Sequence, residues 1–305
     1  MKKTTVTLSV IVIIIIALYF IFRNPTQIPV DTSDTTSTTV DTSVSKATST
    51  PQIVQKNSAI TKIGTSVENR DINAYHYGTG ATELLFIGGI HGGYEWNTSL
   101  VAYQLINYLN NNPKIIPANV RITVIPVLNP DGLNTVVGTT TGNFTQTDVS
   151  TDDATVISGR FNANNVDLNR NFDCDWKSSG TWQNKTVSGG TKAFSEPESQ
   201  AIQTYVKTHT LAAVIVWYSA AGGVYASNCH AGVSTKTDTL TKIYASASGY
   251  SANESFDFYA TTGDMTNWLA KNSIPAISVL LTNHTDTEWS KNLAGIQALL
   301  TYYSK

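Results

Sequence analysis

The sequence predicts a single α/β domain whose mixed, largely parallel sheet is covered by helices on both faces. Three observations predict it. Short apolar, β-branched runs recur at Glu83–Ile87, Val120–Val127, Ala212–Trp217 and Ile277–Leu281, each of strand length and without strict alternation. Amphipathic helical patterns lie between these runs, and polar clusters fall just beyond their carboxyl ends, where sites gather in open α/β sheets.

The elements can be justified in order. Lys2 and Lys3 precede an uncharged stretch, Thr4–Phe22, that contains the run Ile11–Ile16 and ends at Arg23. That length predicts a transmembrane anchor over residues 1–23. A cleaved secretory signal is the competing reading, but Ile21-Phe22-Arg23-Asn24-Pro25 is not a small-residue cleavage site. The lysines on the short side put that end in the cytoplasm, so the chain is expected to cross once, with its carboxyl-terminal domain extracytoplasmic. Residues 24–57 are rich in Ser and Thr and poor in apolar side chains, and read as a disordered linker. The remainder, 58–305, suits one domain.

Within that domain, Asn97–Asn110 carries Leu100, Ala102, Leu105, Ile106 and Leu109 at helical spacing. A second helix is predicted over Glu196–Thr208, where Ser195 caps a first turn holding Pro197 and Glu198. A last helix begins at about Ser290. A formal net charge of −2 from 20 basic and 22 acidic residues leaves no basic footprint, so nucleic acid is not an expected partner. The two cysteines, Cys174 and Cys229, are too far apart in sequence for a C-x-x-C metal clip. Outside the cytoplasm they could pair.

The polar clusters carry the chemistry. His91-Gly92-Gly93-Tyr94-Glu95 offers an imidazole and a carboxylate just past a strand, but alone it reads equally well as a polar turn. Asn129-Pro130-Asp131-Gly132 follows the next strand; then come Arg160, the run Val166–Phe172, and Ser195-Glu196-Pro197-Glu198. In this order they resemble the zinc carboxypeptidase family, which includes the pancreatic carboxypeptidases and bacterial relatives that process cell-wall peptides. The resemblance runs from about residue 60 to the end, and it implies a carboxypeptidase-like fold.

By that resemblance, His91 and Glu95 correspond to the first two zinc ligands. Asp167 corresponds to the carboxylate that orients the imidazole. The family spaces its ligands His-x-x-Glu; this chain has one residue more, which a helical turn would still place on one face. Arg160 resembles the arginine that polarises the scissile carbonyl. Asn169 and Arg170 resemble the pair that grips the peptide's terminal carboxylate, a task suited to a planar guanidinium. Tyr259 resembles the mobile tyrosine that closes over bound peptide, though an ordinary core or surface tyrosine reads as well there. Thr266 lies near the expected floor of the specificity pocket.

Two family residues are replaced. Tyr218 stands where the third zinc ligand, a histidine, is expected, and no histidine occurs between His209 and His230. A phenol, with a pKa of about 10, ligates only after losing its proton, in contrast to an imidazole. Leu280 stands at the position of the glutamate base, and no carboxylate occurs between Asp264 and Asp286. His284 and His230 are nearby in sequence and could serve a rearranged site, but they read more simply as polar loop residues. The expected function is a membrane-anchored protein that recognises the C-terminal carboxylate of peptides, cell-wall peptides among them, with impaired catalysis and doubtful zinc occupancy. The alternative is an active metallocarboxypeptidase or peptide amidase with a rearranged zinc site.

Overall fold

The structure is a computed structural model that describes residues 59–305. The expected anchor and linker, 1–23 and 24–57, lie outside the described residues. Among the described residues, no helix is long and apolar enough to cross a membrane.

The chain runs β1 (Ala59–Thr65), β2 (Asp71–Tyr77), β3 (Thr82–Ile87), α1 (Trp96–Asn111), β4 (Val120–Ile125), α2 (Pro130–Val137) and α3 (Asp153–Ser158). It continues through the ribbon β5 (Ser179–Trp182) and β6 (Lys185–Ser188), α4 (Pro197–Thr208), β7 (Leu211–Ser219) and β8 (Gly223–Ala226). It ends with α5 (Thr235–Ser248), β9 (Ala252–Asn253), α6 (Met265–Lys271), β10 (Ala276–Leu281) and α7 (Trp289–Tyr303). Eight strands form one sheet in the order β1-β2-β4-β3-β7-β10-β8-β9, and β5 and β6 pair separately. The four predicted strands are its centre: β4, β3, β7 and β10 are mutually parallel. Antiparallel pairing enters at β1-β2, β2-β4 and β10-β8.

Each central strand alternates between two cores. Leu84, Phe86, Ile215, Trp217 and Val279 pack with α1, α2, α5 and α7 on one face. Leu85, Ile87, Val216, Tyr218 and Leu280 pack with α4 and α6 on the other. Because both faces are buried, these strands read as continuous apolar runs. The parallel register of β10 on β7 sets Leu280 opposite Tyr218. Tyr218 and Leu280, where the resemblance implies a histidine and a glutamate, are therefore side by side on one face of the sheet.

The predicted helices appear within one residue of their expected ends, as α1, α4 and α7. The helices α2, α5 and α6 open on side-chain caps, Asn129, Ser234 and Asp264, each accepting a backbone N–H in the first turn. The start of α7 is held differently. The Glu288 carboxylate accepts from Thr282 N and Tyr250 Oη and pairs with Lys291. Burial works against that carboxylate, but Lys291, the Thr282 N–H and the Tyr250 hydroxyl outweigh it and lower its pKa to about 2.

Two predictions follow from this packing. Phe86 is fully buried against Trp217, with ring centroids 5.6 Å apart. Phe86→Ala is expected to lower unfolding stability by about 3–5 kcal/mol in a denaturant titration. For Glu288 the folded pKa lies below the unfolded value, so its contribution is complete above about pH 5 and is lost as pH falls toward 2. The acid limb of a stability–pH curve should therefore be shallower for Glu288→Gln than for the native chain.

Candidate functional site

Beyond the carboxyl end of β3 the chain makes a tight turn before α1. Gly92 lies in the left-handed region at φ 45°, and a Cβ there would meet Gly159 O at 2.5 Å. Gly92–Glu95 is one 3₁₀ turn, and Glu95 leaves it at φ −118°. The extra residue between His91 and Glu95 is thus absorbed by a kinked turn, and not by the α-helical face that the spacing suggested. The two side chains still converge. His91 Nδ1 lies 2.9 Å from Glu95 Oε1, and both side chains are 3% exposed. The approach is out of line for a hydrogen bond, and both imidazole nitrogens and Glu95 Oε2 are buried without a hydrogen-bond partner.

Asp167 sits on the other side of the imidazole, with Oδ1 3.4 Å from His91 Nε2. Its Oδ2 accepts from Arg160 Nε and Nη2 at 3.1 and 2.9 Å, and its Oδ1 accepts from Asn169 N. Burial pushes the Asp167 carboxyl up, yet Arg160, His91 and Arg170 together hold it well below the usual carboxylate range.

Both arginines are 3% exposed. Arg160 lies 3.8 Å from Glu95 and has its Cζ 4.5 Å from the centre of the Trp182 ring. Arg170 donates to Thr181 O at 2.7 Å, Thr262 Oγ1 at 3.1 Å and Ala260 O at 3.3 Å. The β5–β6 ribbon therefore covers both guanidinium groups, one with a ring and one with a carbonyl. Gly180 permits this, since a Cβ there would stand 2.7 Å from Arg170 Nη1.

A cavity of about 220 Å³ opens in front of these groups. His91, Glu95, Asn169, Tyr218, Tyr259 and Leu280 line it; neither arginine does. Sequence reasoning therefore places six of its nine site residues around one space, with Asp167, Arg160 and Arg170 buried behind its wall. Asn169 is held in place by its neighbours: Nδ2 donates to Asp264 Oδ2 at 2.8 Å, and Oδ1 accepts from Tyr218 Oη and Met265 N. Tyr218 is thus bonded as a neutral phenol, and burial, then Asp264 and Glu95, raise its pKa well above 10. Thr266 also lines the cavity and donates to Asp264 Oδ1.

Of the residues around the site, Asn97 and Ser219 carry no signal in sequence, whereas His284, read from sequence as a polar loop residue, meets them there. Ser219 Oγ links Asn97 Oδ1 and His284 Nδ1, while Asn97 Nδ2 donates to Asn283 O and Asp286 O. This network pins the loop after β10 to α1, and His284 packs on Tyr94 at 4.8 Å. Asp264 was legible only as an aspartate ahead of a short apolar stretch, the mark of a helix cap. His230 pairs with Asp175 at the surface, as expected of a loop residue. Cys174 and Cys229 form a disulfide that joins the segment after Arg170 to the loop holding Asn228, another lining residue.

A catalytic zinc normally takes three protein ligands and keeps one position open. The orphaned nitrogens of His91 and the free oxygen of Glu95 suit a cation, but Tyr218 supplies a hydrogen-bonded phenol in place of the third donor. Among the described residues, no group of three His, Cys, Asp or Glu side chains could hold a metal ion. The donor set therefore does not fit a complete zinc site.

The buried charges yield a prediction. Asp167→Ala would leave Arg160 and Arg170 without their shared carboxylate, and should cost about 3–5 kcal/mol in unfolding stability by denaturant titration.

Comparison with known proteins accords with this geometry. The sequence profile described as zinc carboxypeptidase matches residues 44–298. Carboxypeptidase Z of Rattus norvegicus is 35% identical over 123 residues, which span 36% of this chain and 17% of that protein. Carboxypeptidase M of Mus musculus is 29% identical over 174 residues, spanning 52% of this chain and 33% of that protein. The chain thus covers a third or less of the length of these relatives. Among solved structures, murein-tripeptide amidase MpaA from Escherichia coli O157 superposes with a TM-score of 0.57 at 19% identity, covering 79% of this chain and 91% of that one. Carboxypeptidase A from Helicoverpa armigera gives 0.61 at 18% identity, covering 81% and 67%. On the match of its profile across most of the sequence, the chain belongs to the zinc carboxypeptidase family.

Proposed function

We propose that this protein binds the carboxyl-terminal end of peptides in the cavity before His91 and Glu95, and that its hydrolytic chemistry is impaired. The observation that carries the reading is the pairing of Tyr218 with Leu280 across adjacent parallel strands, both lining the cavity. A neutral phenol and an alkyl chain occupy the places from which the third ligand and the proton acceptor would act. Neither can activate a water molecule.

The grip on the ligand would come from Asn169 and Arg170. Arg170 lies directly behind the wall formed by Tyr259 and Thr261, bonded to Ala260 O and Thr262 Oγ1 of that same segment. A terminal carboxylate entering there would exchange two neutral acceptors for a charged one, and charge-assisted hydrogen bonds are about twice as strong as neutral ones. The fold shared with a murein-tripeptide amidase supports cell-wall peptides as ligands. The disulfide supports an oxidising, extracytoplasmic setting, with the chain tethered through the apolar stretch Thr4–Phe22.

A second reading, an active carboxypeptidase or peptide amidase with a rearranged zinc site, is favoured by the unpartnered nitrogens of His91 and the unpartnered Glu95 Oε2. Two measurements separate the readings: zinc content of the purified protein after dialysis, and release of C-terminal amino acids from a peptide panel with and without chelator. Impaired catalysis predicts substoichiometric zinc and no chelator-sensitive release. In the variant Tyr218→His with Leu280→Glu, turnover should rise by about 100-fold or more, the usual yield of a general base. Full zinc and chelator-sensitive release by the native chain would establish the second reading instead.

A further inference from the structure

The cavity opens onto a ledge of aromatic rings. Phe256 packs edge to face on Tyr225 at 5.4 Å and on Tyr259 at 4.9 Å, and meets Phe258 at 5.2 Å. Phe258 is 67% exposed and Tyr259 40%, among the largest exposures of any hydrophobic side chain described. Tyr225, Phe256 and Tyr259 also line the cavity, so ledge and cavity form one continuous surface.

Acidic residues alternate with these rings. Glu254 lines the cavity and Asp257 is exposed beside Tyr225, whose phenol is raised by burial and then by that carboxylate. No lysine or arginine occurs between Lys242 and Lys271 in the sequence. Those two lysines are ion-paired, with Asp238 and Asp173, and Lys242 is also drawn by the Glu254 carboxylate. Deeper in, Glu95 also lines the cavity; its Oε2 is buried without a hydrogen-bond partner, and its Oε1 lies 3.8 Å from Arg160. Tyr259 already accepts a guanidinium on its inner side, with Arg170 Cζ 5.8 Å from the ring centre. Rings with carboxylates at their edges attract cations through both the ring quadrupole and the charge. A purely apolar segment gains only contact with the rings, and an anionic one is opposed by the carboxylates and the ring faces alike.

We propose that the ledge formed by Tyr225, Phe256, Phe258 and Tyr259, flanked by Glu254 and Asp257, holds cationic side chains of the peptide segment that leads to the residue in the cavity. This rests on the peptide-binding reading above and adds the charge of the ligand's upstream part.

The test uses the full-length chain in nonionic detergent and three fluorescent peptides with one common C-terminal residue. They differ only in the preceding three residues: lysine, its uncharged isostere norleucine, or glutamate. Fluorescence anisotropy should show the lysine peptide binding about tenfold more tightly than the norleucine peptide, with glutamate weakest. In Phe258→Ala and in Glu254→Gln with Asp257→Asn, all at exposed positions, that advantage should shrink to about twofold or less. Equal affinity of the lysine and norleucine peptides for the native chain would overturn the ledge while leaving the proposed function standing. So would an advantage undiminished in both variants. Failure of all three peptides to bind would overturn both.

Discussion

The site is organised by one buried carboxylate. Asp167 has no exposed surface, yet it meets Arg160 with two hydrogen bonds, the His91 imidazole, the Asn169 N–H and the flank of Arg170. An ionised group so deeply buried persists only because it is this fully satisfied. The turn after β3 reaches it from far away in sequence, and there meets the near neighbours of Asp167: Arg160 from the loop after α3, and the short turn that carries Asn169 and Arg170. Asp167 holds the approach to the cavity in place, while Tyr218 and Leu280 stand where the family resemblance implies a histidine and a glutamate.

Those replacements sit on the sheet, outside this charged network. Tyr218 and Leu280 point from β7 and β10 into the cavity beside the α4 and α6 core. Tyr218 compensates for its polar atom by bonding to Asn169, and Leu280 needs no partner at all. A sheet residue facing a pocket can thus change from ligand to packing group with little cost to the scaffold. Changing Asp167 would disturb every segment that leans on it. The asymmetry separates residues that position the site from residues that only line it.

Much of this was legible in the sequence because it rests on local signals. Continuous apolar runs marked the four central strands, since parallel strands buried on both faces tolerate little else. Pro197 and Glu198 marked the start of α4, since both suit a first turn whose N–H groups are unpaired. The expected Ser195 cap is absent: Ser195 Oγ donates to Glu196 Oε1, and the helix opens at Glu196 with no side-chain cap. The edge strand β1 escaped notice because it is largely exposed and polar, and its inner neighbour β2 because its buried Ile72, Ala74, Tyr75 and Tyr77 are interrupted by polar residues and form no continuous apolar run. The turn between His91 and Glu95 was read as helical because spacing reports periodicity and not the φ of a single residue. The positions of Arg160 and Arg170 were hidden for another reason. Their partners, Trp182 and Thr181, lie on a ribbon whose placement is fixed by the long-range bridge of Val166 to Ser188. No pattern within either segment encodes that meeting.

That ribbon holds Arg170 through a main-chain oxygen, Thr181 O. Exchanging the side chain at 181 therefore leaves the acceptor in place, so the latch is indifferent to composition at that one position. Drift there is accordingly silent, whereas a side chain at Gly180, or a single inserted or deleted residue, would displace the guanidinium.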